Sequence, residues 1–255
     1  MATRRHALAL VLVTGLSGGL VVPFAAFADT IDGIAMAEFA KGNWKQAAQI
    51  AARVHDADNL AFAARSLLAS ALLSSPSRTR GREIGQARTY AQAALILAPK
   101  HIEGRLQMAT ALGLQARTGS PVKAFTLGLP QRIRRLLDSV ARDDPSQAWA
   151  FALLGGWHLE ALRIGGAGAR AMLGVNLAAG KQAFARAMTL DGSIAATPFY
   201  YAASLLALAP ADNGSEARTL LVRAQATPKR DAFQDEVQAR ATQLLALLDQ
   251  KGPEA

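Results

Sequence analysis

A small or apolar residue, another four places on, another seven places on and a helix breaker at twelve recur along the chain, and this pattern constrains the fold most. The stretch "ARTYAQAALILAPKH" shows it with Ala87, Ala91, Ala94 and Pro99. The same template fits Ala47, Ala51, Val54 and Asn59, then Ile133, Leu137, Val140 and Pro145, then Gly180, Phe184, Ala187 and Gly192. It fits Ala217, Leu221, Ala224 and Lys229 more loosely, with Pro228 one place early. Residues four and seven apart share one helix face. Small residues on that face let a neighbouring helix approach, and the breaker ends the helix and starts the turn into the next. Between these segments lie four further apolar helices, at 60–73, 102–115, 147–163 and 199–208. The chain therefore alternates a first helix with a second, small-faced helix. No such pair buries its apolar face alone, so the pairs must stack. Val-Ile-Thr strands with period two are missing, and only 6% of the residues are aromatic. The fold class is all-α.

Residues 1–28 stand apart from this array. Arg4 and Arg5 precede an apolar run from Ala7 to Val22, and Ala26-Phe27-Ala28 makes an A-x-A cleavage site. The pattern is that of a secretory signal peptide, with Asp29 as the mature N-terminus. A single membrane anchor is the alternative, but the run is short for a span, is broken by Gly18-Gly19 and is followed by Pro23. Either general secretion or twin-arginine export would serve, with the residues after Arg5 closer to the former. The 255 residues contain no cysteine, which excludes disulfides, thiolate metal sites, a cysteine nucleophile and lipoprotein attachment. Export places the mature chain in the periplasm. Without the two signal arginines the balance is 26 basic against 19 acidic residues, a modest excess. It suits an acidic partner, an anionic envelope surface or plain solubility, and it does not point to nucleic acid.

The stretch "GNWKQAAQIAARV" resembles the Gly-x-aromatic-x-x-Ala core and second helix of the tetratricopeptide repeat (TPR). "GQARTYAQAALILAPKH" resembles the same second helix with its closing proline. The resemblance runs from Ile31 to about Ala226, and the first two units match best. No first helix carries the family's full Trp-Leu-Gly-Tyr set. Pro99, Pro145 and Gly192 are spaced wider than the family's usual repeat, so extra residues sit between paired helices at 117–130 and 163–176. The resemblance implies a TPR-like α-α hairpin solenoid with elongated, inserted repeats over residues 29–226. Such pairs are also similar to those of periplasmic TatT-type proteins associated with TRAP transporters, and to the helical domain of regulator-of-microtubule-dynamics proteins. Residues 227–255 form a C-terminal capping helix, with Asp231 as its N-cap, and a tail.

No metalloprotease, nucleophile-elbow or P-loop pattern occurs, and no catalytic residue, cofactor or metal is expected. "GGWHLEALR" sets Trp157, His158 and Glu160 close together. His158 and Glu160 are two apart and point to different faces of a helix, so acid-base work by that pair is disfavoured against a core Trp157 and a groove-edge His158. Arg78, Arg80 and Arg82 lie in a Ser/Gly-rich loop whose guanidinium forks suit a carboxylate or phosphate, or which is simply solvated. Arg132 and Arg135 share a second helix face. Three successive aromatics, Phe199, Tyr200 and Tyr201, cover most of a helix circumference, so one tyrosine should face outward or into a groove. In TPR solenoids first helices line the concave surface. The resemblance thus makes Asn59, Arg65, Arg105, Trp149 and Tyr200 or Tyr201 candidates for partner binding, and the loop arginines Arg78, Arg80 and Arg82 and the groove-edge His158 join them on their own chemistry. The expected function is an exported, non-enzymatic scaffold that holds a protein or peptide, possibly acidic, in a concave groove. The alternative is a TRAP-type accessory of solute uptake that binds a small ligand or a ligand-binding protein. In a third reading, an envelope hydrolase, Glu160 would be the acid.

Overall fold

A computed structural model describes residues 30–74, 78–228 and 231–250. The proposed signal peptide, the tail after Gln250 and the breaker position Lys229 lie outside them. Among the described residues there are twelve helices and no strand. They are α1 (Gly33–Ala40), α2 (Trp44–Ala51), α3 (Ala57–Leu73), α4 (Arg80–Leu97), α5 (Ile102–Thr118) and α6 (Pro121–Thr126). There follow α7 (Leu129–Asp143), α8 (Ala148–Leu173), α9 (Leu177–Leu190), α10 (Ala196–Leu208), α11 (Pro210–Gln225) and α12 (Ala232–Asp249).

The repeated template marks the buried faces of α2, α4, α7, α9 and α11. Ala87, Ala91 and Ala94 are fully buried, as are Ala47, Ala51, Phe184, Ala187, Ala217 and Ala224. Val54 departs from the template and is 45% exposed. Helix α2 ends at Ala51, and His55 takes a left-handed φ of 62°, so the seventh position falls outside the helix. Several starts carry side-chain caps. The Asp32, Asp56, Asn176 and Asp231 side chains each accept a backbone N–H of their helix's first turn. His101 caps α5 through Nδ1, which accepts from Gly104 N at 2.9 Å, while Nε2 meets Asp58 at 2.7 Å. The Gly104 bond leaves Nδ1 without a proton, so the ring's N–H is at Nε2 and donates to Asp58.

The second helices sit between successive first helices. Helix α4 packs on α3 and α5, α7 on α5 and α8, α9 on α8 and α10, and α11 on α10 and α12. The first helices also touch one another in the order α3, α5, α8, α10, α12, and α12 packs back on α1 and α3. The run of contacts therefore closes on itself. Phe39 of α1 stacks with Phe233 of α12 at 6.5 Å. Arg240 of α12 donates to the Leu72 and Leu73 carbonyls at the end of α3, at 2.8 and 2.6 Å. A positive side chain on terminal helix carbonyls also meets the favourable end of the helix dipole.

Closure explains why the inner helices are buried on all sides. Every residue of α5 from Glu103 to Leu112 is buried, as is every residue of α10 from Ala196 to Ala203. The expectation that one of Tyr200 and Tyr201 faces outward is therefore corrected: Phe199 and both tyrosines are buried, because α8, α9, α11 and α12 surround α10. Packing is tightest between α8 and α9. A Cβ on Gly155 would stand 2.5 Å from the Phe184 ring, and one on Gly180 would stand 2.9 Å from Leu159. Only glycine permits that approach. Phe184 in turn stacks on Tyr201 at 4.6 Å.

Both insertions are partly helical. The first contains α6, capped by Ser120. In the second, α8 runs on past Arg163 and is broken at Gly166, with φ 49° and ψ −127°.

Candidate partner-binding site

The junction of α2, α3 and α4 forms a polar recess at the surface. A cavity of about 280 Å³ opens there, lined by Gly42, Asn43, Trp44, Lys45, Ser70 and Ser74 among others. Glu83, in the first turn of α4, anchors the wall. Its carboxylate takes the Lys45 ammonium at 2.8 Å, the Ser70 hydroxyl at 2.9 Å and the Thr79 hydroxyl at 2.5 Å. Burial pushes the Glu83 carboxyl up, but the bonds from Lys45, Thr79 and Ser70 and the Lys45 charge outweigh it, and the group lies below its usual range. Glu83 is thus a carboxylate whose bonds are already made.

The rest of the junction is positive. Arg78 and Arg82 are exposed and Arg80 is half-buried, and the three form no ion pair among the described residues. Helix α4 begins at Arg80, and Thr79 does not cap it, because its hydroxyl is turned to Glu83. Cations at a helix N-terminus oppose the helix dipole, whereas an anion there is stabilised by it and by the free N–H groups. Trp44 Nε1 adds an unanswered donor: it is buried in the wall with no hydrogen-bond partner. Three unpaired guanidiniums next to the recess and one unpartnered indole in its wall thus stand beside carboxylates that are already engaged. Chemically the recess suits a carboxylate or phosphate.

The other sequence candidates sit elsewhere. Arg65 is 1% exposed and forms an ion pair with buried Glu103, its Nε at 2.6 Å from Oε1, while Gln107 donates to the same oxygen at 2.9 Å. Arg105 is buried and ties α5 to α7, donating to Ser139 at 3.0 Å, Asp143 at 2.7 Å and the Lys100 carbonyl at 2.7 Å. Asn59 is buried and donates to the Thr30 carbonyl and to Asp56. Trp149 is in the core. Tyr201 donates to Glu216 at 2.6 Å, and burial with that bond raises its phenol. These residues hold the array together and do not line an open groove.

His158 is buried with Nδ1 unpartnered, its ring edge-on to Trp157 at 5.0 Å. Burial and then the Arg134 charge push it below its ordinary value, against a weaker pull from Asp138. It is a neutral imidazole in the core. Glu160 is engaged by Arg163 at 2.7 Å and by Arg117 at 3.2 Å, and burial is outweighed by those arginines, so it lies low. A carboxylate held ionised by two guanidiniums is ill suited as a general acid. Tyr200 lies near the same cluster. Its hydroxyl is buried without a partner, and burial raises it to about 12 despite Arg240 and Arg117.

Sequence reading offers Arg78, Arg80 and Arg82 as binding candidates and does not single out Trp44, Lys45, Ser70 or Glu83 for binding. Trp44 and Lys45 stand in "GNWKQ", where repeat spacing alone was informative. No local signal ties Lys45 to Glu83, 38 residues on.

Among the described residues no group of three or more His, Asp or Glu is arranged to hold a metal ion. No helix among them is long and apolar enough to cross a membrane. No family model matches the chain, and no curated protein matches it.

Proposed function

We propose that this protein is an exported, periplasmic, non-enzymatic TPR-like scaffold that holds an acidic segment of a protein partner at the polar recess of α2, α3 and α4. The observation that carries this is that Arg78, Arg80 and Arg82, in the loop and first turn of α4 next to the recess, form no ion pair among the described residues, α4 has no side-chain cap and the Trp44 indole is unpartnered, while the nearby carboxylates Glu83 and Glu38 are already engaged, the first by Lys45, Ser70 and Thr79 and the second by Asn43 and Lys41. Guanidinium forks supply geometry and charge for carboxylates, and the indole supplies one directed donor. Stacked helix pairs with small-residue faces support the TPR-like reading. The place of binding differs from the family expectation, because the first helices are enclosed. The hydrogen-bonding partners of Glu160 and the burial of His158 support recognition over turnover.

The solute-uptake reading would use the same recess. About 280 Å³ accommodates a small carboxylate, which the same donors would hold. One experiment separates the two. The chain from Asp29 is used to capture partners from envelope extract, beside an Arg78→Ala, Arg80→Ala, Arg82→Ala variant, and both are screened for thermal shifts with small carboxylates. A protein retained by the unaltered chain and lost from the variant supports the scaffold. A carboxylate-dependent rise in Tm without a protein partner supports solute binding. Neither response, or equal responses from the two chains, refutes the recess as the site.

A further inference from the structure

The two insertions form a second surface, separate from the recess. The 34 residues from Gly104 to Leu137 and the 30 from Ala161 to Leu190 together hold ten Lys and Arg and no Asp or Glu. The whole chain carries +9, so the rest of it is close to neutral, at −1. Five of the ten are engaged by acids outside these stretches, Arg105 by Asp143, Arg117 and Arg163 by Glu160, Arg134 by Asp138 and Lys181 by Glu216, while Lys123, Arg132, Arg135, Arg170 and Arg186 form no ion pair among the described residues.

The fold brings the bases of the insertions together. Arg117, at the end of α5, and Arg163, just before the second insertion, both bond Glu160, at 3.2 and 2.7 Å. On the return of the first insertion, Trp157 Nε1 donates to the Pro130 carbonyl at 3.1 Å, and the Arg134 guanidinium lies 5.2 Å from the Trp157 ring centre. The two insertions therefore leave the array side by side. Each exposes large apolar side chains among its cations. Val122 is 76% exposed and Leu127 62%, flanking Lys123; Met172 is 60% exposed beside Arg170, with Ile164 beside Arg163.

We infer that this edge binds the surface of an anionic phospholipid bilayer. Protruding aliphatic side chains beside Lys123 and Arg170, with no acid inside either insertion and Glu160 at their base held by Arg117 and Arg163, match a headgroup layer, which takes apolar tips into its acyl boundary and cations at its phosphates. A protein partner would need a shaped apolar counterpart to each of several separate tips, whereas lipid conforms to them. The surface would set the scaffold on a membrane with its recess free, by peripheral contact and without a span.

The absence of native cysteine makes a clean test possible. The full chain is labelled with an environment-sensitive dye at Val122→Cys, at Met172→Cys or, as a control on an exposed apolar residue of α11, at Val222→Cys. Each is mixed with vesicles of phosphatidylcholine alone or with one third phosphatidylglycerol. The expected result is a blue shift at 122 and 172 with the anionic vesicles only, and none at 222. Lys123→Gln with Arg170→Gln should lower the partition constant about 25-fold at low salt, about fivefold for each cation removed. High salt should weaken binding further. No shift at 122 and 172, shifts of equal size on neutral vesicles, or an equal shift at 222 would overturn the inference. The local dyes also separate this edge from any affinity of residues 1–28.

Discussion

At the scale of single residues, the molecule spends its polar side chains on its own interior. Arg65 and Glu103 are both buried, and Glu103 Oε2 and Gln107 Oε1 lack partners, so the pair is incompletely satisfied. Removing one member strands a buried charge, whereas replacing both with apolar residues does not. Glu103→Gln should lower unfolding stability by about 3–5 kcal/mol, while Arg65→Met with Glu103→Leu should cost much less; urea titration reads both. The adjacent tyrosines offer an opposite pair of outcomes. Tyr201→Phe removes the bond to Glu216 and should destabilise by about 1 kcal/mol. Tyr200→Phe removes an unpartnered hydroxyl and should leave stability unchanged or raised. His158 gives a pH effect. Its folded-state value lies below 6.5, so as pH falls the unfolded chain takes up the proton first. Stability is then full above pH about 6.5 and falls from there down through the lowered folded value. Tm measured across that window should drop in the natural chain and stay flatter in His158→Gln. The groove candidates were chosen from the side of α3, α5 and α10 that a TPR first helix leaves open. The signal against that choice was already present. Helix α10 carries no charged residue and has apolar or aromatic residues on every face, the mark of a helix enclosed all round.

At the scale of elements, spacing is informative where burial is one-sided. The second helices each expose one face and bury another, so Ala87, Ala91 and Ala94 or Ala217, Leu221 and Ala224 are legible as a buried stripe. Asp231 is legible as a cap because a carboxylate before an apolar run has a local hydrogen-bond partner, here Gln234 N. Val54 was misplaced because the template does not say where a short helix ends. Gly155 and Gly156 are alike in sequence but not in space. A Cβ at 155 would overlap Phe184, while one at 156 comes no nearer than 3.9 Å to that ring. Gly155→Ala should therefore destabilise by about 1–3 kcal/mol through overpacking. Gly156→Ala should stabilise by up to about 1 kcal/mol through helix propensity. Thermal denaturation of the two variants should move in opposite directions.

At the scale of the whole molecule, the decisive feature is that α12 meets α1 and α3. Sequence periodicity has no term for a contact between Phe39 and Phe233, because each unit is read only against its chain neighbours. A capping helix was legible; what it would also cover was not. Closure encloses the first helices, so the binding surfaces proposed for this protein are the outer recess and the paired insertions. The most direct test is a disulfide between Gly42→Cys and Ala232→Cys, 190 residues apart in a chain that has no other cysteine. A Cβ on Gly42 stands 3.1 Å from that of Ala232, and disulfides join Cβ atoms about 3.8 Å apart; since Gly42 has a left-handed φ of 87°, Gly42→Ala serves as the control for the strain of a side chain there. In a closed array the folded double variant oxidises to a monomeric cross-linked species that runs faster on a non-reducing gel. If both thiols instead stay free in the folded protein under mild oxidant, the array is open and the inner helices regain a face for partners.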